Sequence, residues 1–331
     1  MKDSIKQKCD LLISNKDKLE KEFKWGYSIM NIAAAFVFSG AGKTADIERL
    51  KHAREVLKKN TGAFSSFRGH GEAVIASKMA IKDDPEQYLN DIKTVYEKLN
   101  KGSIFDNEYL VQGAICICDA GRMSDADSIV EKYKDLYKRM GKEHPFLTSS
   151  EDIVFAVLLS LTDKSVDQII NEMEECYTYL KKELKLKVGS NEIQGLGEIL
   201  VLTDGDMKAK CDKVVKLYNT FKEQGLKVGS DYNEFASLGT LVDIDVDYNT
   251  LVGEIAEVAE YLKAAKGFGS WSLDNKKRLM FASMLVGDSY GSDSGLSNSA
   301  AISSSVAMVI AEEIALMMCM MICVSSTTTN S

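Results

Sequence analysis

Leu186-Lys187-Val188-Gly189-Ser190 and Leu226-Lys227-Val228-Gly229-Ser230 spell the same five residues 40 positions apart. A tyrosine ladder keeps nearly the same beat. Tyr96, Tyr137, Tyr177 and Tyr218 are separated by 41, 40 and 41 residues, each three residues before an apolar side chain (Leu99, Met140, Leu180, Phe221). The apolar ladder runs back to Leu57 and on to Leu262, and an aromatic residue or leucine follows each rung: Phe64, Phe105, Phe146, Leu186, Leu226 and Phe268. Six copies in register define a tandem repeat of about 41 residues.

Each unit reads as two helices. The first is the more apolar, as in Asp152 to Leu159 or Glu108 to Cys118. Runs of this length, rich in Ala, Leu, Met and Glu with few prolines, favour helix over buried strand. The second is amphipathic: between Pro85 and Asn100, Tyr88, Leu89, Ile92, Val95, Tyr96 and Leu99 recur at helical spacing. Asp84 before Pro85 marks its start, and Gly102, Gly141 and Gly225 stand where a glycine closes a helix. A two-helix unit cannot bury both apolar faces alone, so the pattern predicts an all-α fold, a curved α-α repeat array of about six helix pairs.

This organisation divides the chain into an N-terminal helical extension (1–36), a helical-repeat domain (37–286), a Gly/Ser/Asp-rich linker (287–299), an apolar C-terminal helix (300–324) and a disordered tail (325–331). Trp25, Ile29, Ile32 and Phe36 form the packing side of the extension. The last apolar segment is long enough to span a bilayer, but Glu312 and Glu313 sit at its middle and no Lys or Arg flanks it. It is expected to fold back or self-associate rather than cross a membrane.

The 331 residues carry 41 Lys and Arg against 49 Asp and Glu, a net charge of −8, and 45% hydrophobic residues. That balance excludes a disordered chain and makes general nucleic-acid binding a poor fit. Met1 to Phe23 lacks the apolar core of a secretory signal. Seven irregularly spaced cysteines argue against a disulfide framework and for a reducing cytoplasm.

The repeat spelling resembles the bacterial domain-of-unknown-function 4003 family. The residues that carry the resemblance are Phe64 to His70, His144-Pro145-Phe146-Leu147-Thr148, and Gly267-Phe268-Gly269 through Arg278 to Ala282. It covers roughly residues 5 to 290. The resemblance implies a cytoplasmic bacterial protein and supplies no catalytic residues.

Several motifs invite chemistry and each has a structural alternative. Ser39 to Thr44 ends like a phosphate-binding loop, but Val37 stands where the pattern needs glycine. A helix-to-helix turn capped by Thr44 or Asp46 fits better. Asp243, Asp245, Asp247 and Glu254 have calcium-loop spacing with Tyr248 at the turn glycine's place; acids at the start of second helices account for them as caps. His52, His70 and His144 form no metal motif. Arg68 and His70, entering a first helix, could hold an anion or make local hydrogen bonds. Tyr96, Tyr137, Tyr177 and Tyr218 could line a partner groove or belong to the core between repeats.

The expected function is therefore a protein- or peptide-binding scaffold without catalytic activity, metal or cofactor. The competing expectations are a small-ligand binder or enzyme near Arg68 and His70, and a peripheral membrane protein held by its C-terminal helix.

Overall fold

A computed structural model describes residues 1–23, 28–63, 65–68, 71–102, 107–145, 147–150, 152–229, 232–270 and 273–293. Every regular element among them is helical. After α1 (Asp3–Glu22) follow α2 (Ser28–Gly40), α3 (Ile47–Asn60), α4 (Glu72–Ile81), α5 (Pro85–Asn100), α6 (Glu108–Asp119) and α7 (Ala126–Glu143). Then come α8 (Asp152–Ser160), α9 (Val166–Thr178), α10 (Ser190–Val201), α11 (Met207–Glu223), α12 (Tyr232–Ala236) and α13 (Tyr248–Lys263). A 3₁₀ turn, Ser237–Leu241, extends α12, and α14 (Asn275–Asp293) closes the series.

Even- and odd-numbered helices from α2 to α13 differ as their composition requires. All nine residues of α8 are buried, as are Ala73 to Ala80 of α4 and Ile193 to Val201 of α10. A helix that is apolar all round is stable in water only when it is enclosed. The odd-numbered helices keep a charged face: in α5 only Tyr88, Leu89, Ile92, Val95, Tyr96 and Leu99 are buried. Each fully buried Leu, Ile or Phe contributes about 1.5–3 kcal/mol of transfer free energy, so the even-numbered helices hold much of the core stability.

Helix ends are tied by charge. Asp46, Asp84, Asp206 and Asp247 cap α3, α5, α11 and α13 through backbone N–H groups of the first turn, and Ser165 with Gln168 forms a capping box on α9. Cations meet the opposite ends. Lys43 and Arg49 donate to carbonyls at the end of α4, while Lys164 and Lys210 donate to Val201, Leu200 and Thr203 at the end of α10. Both arrangements complement the helix dipole.

Three boundaries differ from the sequence reading. Gly141 lies inside α7 rather than beyond it, because one glycine costs less than the helix gains from its amphipathic face. The division expected after Phe36 falls within α2. Residues 287–293, read as the start of a linker, are the last turns of α14, where Gly287 packs close to Leu241 and Ser289 is buried. Packing overrode a flexible composition there. The apolar segment 300–324 and the tail lie outside the described residues.

The described residues form two compact units. One holds Met1–Cys9 and the chain from Asp135 onward; the other is Asp10–Lys134. In the first, α10 packs between α8 and α12, α11 between α9 and α13, and α14 against α13 and the 3₁₀ turn. The start of α1 joins it: Lys2 donates to Tyr290 at 2.6 Å and pairs with Glu254 at 3.1 Å, and Lys8 pairs with Asp288. In the second unit α2 packs on α4, and α3 and α4 on α5. Asn15 of α1 spans the α2–α3 turn there, donating to Ser39 and Lys43 and accepting from Ala45 N–H.

Candidate functional site

Arg68 ends a 3₁₀ turn before α4 and points its Nε to within 3.9 Å of Glu72. Glu72 also accepts from Arg54 at 2.6 Å. The first residue of α4 thus brings its own carboxylate to the place where an anion was expected. His70 lies outside the described residues. The four tyrosines are each engaged locally. In one unit Tyr96 meets Phe67 edge-on at 5.3 Å. In the other, Tyr137 donates to Ser149 O at 2.9 Å, Tyr177 donates to Ser190 Oγ at 3.1 Å, and Tyr218 meets Phe235 edge-on at 5.5 Å. These contacts tie a second helix to the turn or start of a first helix.

The remaining motifs resolve in the same way. Ser39 to Thr44 is a helix-to-helix turn with Gly42 at φ +64 and Lys43 committed to Ile81 O. Asp247 caps α13, Asp243 meets Thr203 and Lys213, and Glu254 meets Lys2 and Tyr290. Among the described residues no group of three His, Cys, Asp or Glu side chains could hold a metal. Cys211 donates to Cys176 across 3.5 Å with both thiols buried; that hydrogen bond and burial push the Cys176 thiol well up, leaving it unreactive.

A buried acceptor cluster was not legible from spacing. Gln194 of α10 donates to Asp152 at 3.0 Å and, less closely, to Glu198 at 3.4 Å. All three are almost wholly enclosed. Burial raises the Tyr137 hydroxyl pKa, and the Asp152 and Glu198 charges add to that rise. Asp152 also accepts from Ser149 N–H, so the cluster holds the start of α8 against α10.

Two surface features remain, both beside the duplicated pentapeptide. After α9 the helix widens into a π turn, Tyr179–Glu183, so that Leu180 stays buried while Leu184 is 38% exposed. Leu184 is the one exposed large hydrophobic side chain among the described residues. Exposed Lys182, Lys185 and Lys187 surround it in sequence, and Lys185 takes a left-handed backbone with φ 51. The run Lys181 to Lys187 was the available signal; the π turn that exposes Leu184 was not readable.

The second feature is a cleft of about 460 Å³. Gly225, Leu226 and Lys227 form one wall, Ala259 and Glu260 of α13 a second, and Asn275, Lys276, Arg278 and Leu279 of α14 a third. The side chain of Arg278 is buried and donates to Phe268 O at 3.0 Å, Leu273 O at 3.1 Å and the amide oxygen of Asn275.

Comparison with known proteins places the chain. The sequence model of the family described as "Protein of unknown function (DUF4003)" matches residues 15–315. The chain belongs to this family. Over 183 residues it is 25% identical to "Uncharacterized protein YeaA" of Bacillus subtilis (strain 168), covering 53% of this chain and 55% of that protein. The chain therefore spans about half the length of the curated relative it matches. No solved structure matches. No helix among the described residues of this DUF4003 protein is long and apolar enough to cross a membrane.

Proposed function

We propose that the protein is a binding scaffold that engages an acidic segment of a protein partner through the basic loop after α9. This reading treats the helix pairs as tandem units of about 41 residues whose loops present repeated edges. The observation that carries it is the left-handed Lys185. The corresponding place after other second helices belongs to glycine: Gly102, Gly225 and Gly267 have φ +97, +74 and +83. A lysine there costs about 1 kcal/mol in backbone strain. Keeping that lysine beside Lys182, Lys187 and an exposed Leu184 favours a role in binding over one in stability.

The reading places the protein in the cytoplasm, which fits the contact between the unbonded thiols of Cys176 and Cys211. It assigns no catalysis to the chain: the tyrosines tie helices to neighbouring turns, Asp247 caps its own helix, and His144 meets Glu174 at 2.6 Å. The test is affinity purification from the native cell with the full chain and its K182E/K185E/K187E variant. One protein recovered with the wild type and lost with the variant, cross-linked to these lysines, is the expected result. An identical set of co-purifying proteins overturns the proposal. Flotation of the wild type with anionic vesicles, lost in the variant, would make the occupant a lipid surface and likewise refute it.

A further inference from the structure

We propose that the cleft between the Gly225–Lys227 loop, α13 and the start of α14 binds a small organic phosphate. Arg278 carries the argument. It is 3% exposed, and the atoms holding it are two backbone carbonyls and a carboxamide oxygen, none with formal charge. A buried cation held only by neutral acceptors is costly unless an anion completes its surroundings. Arg278 lines a cavity large enough for such an anion, about 460 Å³, within the usual range of small-molecule sites.

The other charges of the cleft agree in sign. Lys227 and Lys276 line it and have no described carboxylate partner. Glu260 is the one acid of the lining, and Lys263 holds both of its oxygens at 3.0 and 2.9 Å. Asp274, just outside the lining, is bound by Lys277 at 2.6 Å and by the N–H groups of Lys276 and Lys277. Three cations therefore line the space, and Glu260 and Asp274 each have a lysine partner of their own. A phosphomonoester, with a charge near −2 at neutral pH, matches that excess better than a single carboxylate. Lysine ammoniums are effective point-charge partners for phosphate. Leu226, Ala259 and Leu279 supply an apolar floor for the organic part of the ligand.

This site is separate from the basic loop after α9 and does not depend on it. The experiment is isothermal titration of the full chain with phenyl phosphate, phenol and benzoate. Phenyl phosphate is expected to bind about ten- to a hundredfold more tightly than phenol, the scale of one or two charge-assisted contacts. Binding should weaken with added salt. It should be lost in K227Q/K276Q, whose circular dichroism and melting temperature should match wild type because both side chains are exposed. It should persist in K182E/K185E/K187E. Phenyl phosphate binding no tighter than phenol, or unchanged in K227Q/K276Q, overturns the site; benzoate binding equally well overturns the phosphate assignment.

Discussion

The two copies of Leu-Lys-Val-Gly-Ser share their spelling and differ in almost everything around it. Both leucines close the preceding helix: Leu186 N–H donates to Leu180 O at 2.9 Å, and Leu226 N–H to Phe221 O at 2.8 Å. Both glycines leave room for a glutamate folded back from the following helix, Glu192 over Gly189 and Glu234 over Gly229. The entries diverge. The first copy is reached through a π turn and a left-handed lysine, the second through an ordinary helix end and a left-handed glycine. The first loop thus carries strain and exposes charge, while the second is relaxed and forms the wall of a cleft. Identical letters settle the local turn; the neighbours decide what it is used for.

Replacing Arg278 tests the second loop's setting most severely. Arg278→Met leaves the carbonyls of Phe268 and Leu273 without their donor beneath the cleft, and should cost about 3 kcal/mol in urea denaturation. The glycines should separate next. A methyl on Gly229 would sit 2.6 Å from Cβ of Glu234, a buried side chain, so the backbone must shift. On Gly189 it would displace the carboxyl end of a half-buried Glu192, with Cδ at 2.8 Å. Gly229→Ala is expected to cost about 2 kcal/mol and Gly189→Ala under about 1 kcal/mol. Equal losses would show that the two glutamates are held alike.

Smaller effects of opposite sign are expected at the loop entries. Lys185→Gly should stabilise the fold by about 1 kcal/mol and Gly225→Ala destabilise it by a similar amount, because only the lysine strains a left-handed backbone. The smallest effect concerns acid. Burial tends to raise the Asp274 pKa, but its bonds to Lys277 and to the backbone of Lys276 and Lys277 outweigh that and lower it. Its contribution is therefore present above the unfolded value near pH 4 and lost as pH falls through the folded value. Asp274→Asn should flatten the acid limb of stability, as read from denaturation midpoints at about pH 6 and about pH 3.

What could be read in the sequence was what lies close in sequence. Asp84 before Pro85 gave the start of α5 because a cap and its helix are adjacent, and the heptad-like spacing of Tyr88 to Leu99 gave its buried face. Glu234 over Gly229, Arg278 beneath Phe268 and Gln194 on Asp152 join residues 5, 10 and 42 positions apart outside any one helix, and no local rule links them. Gly141 and Gly287 show the converse. Composition suggested a helix end and a linker, and burial of the surrounding face kept both helical. Arg68 was a fair anion candidate by position, yet Glu72 one turn later had already supplied the charge.

On the proposed function, a partner covers the strained basic loop after α9 inside the cell. Amine acetylation of the chain in intact cells and after purification, with modification followed at each lysine, tests it most directly. Lys182, Lys185 and Lys187 should react several-fold more slowly in the cell, while exposed Lys58 and Lys59 of α3 react at the same rate in both settings. Equal reactivity of the three loop lysines in the cell and in isolation would contradict the account.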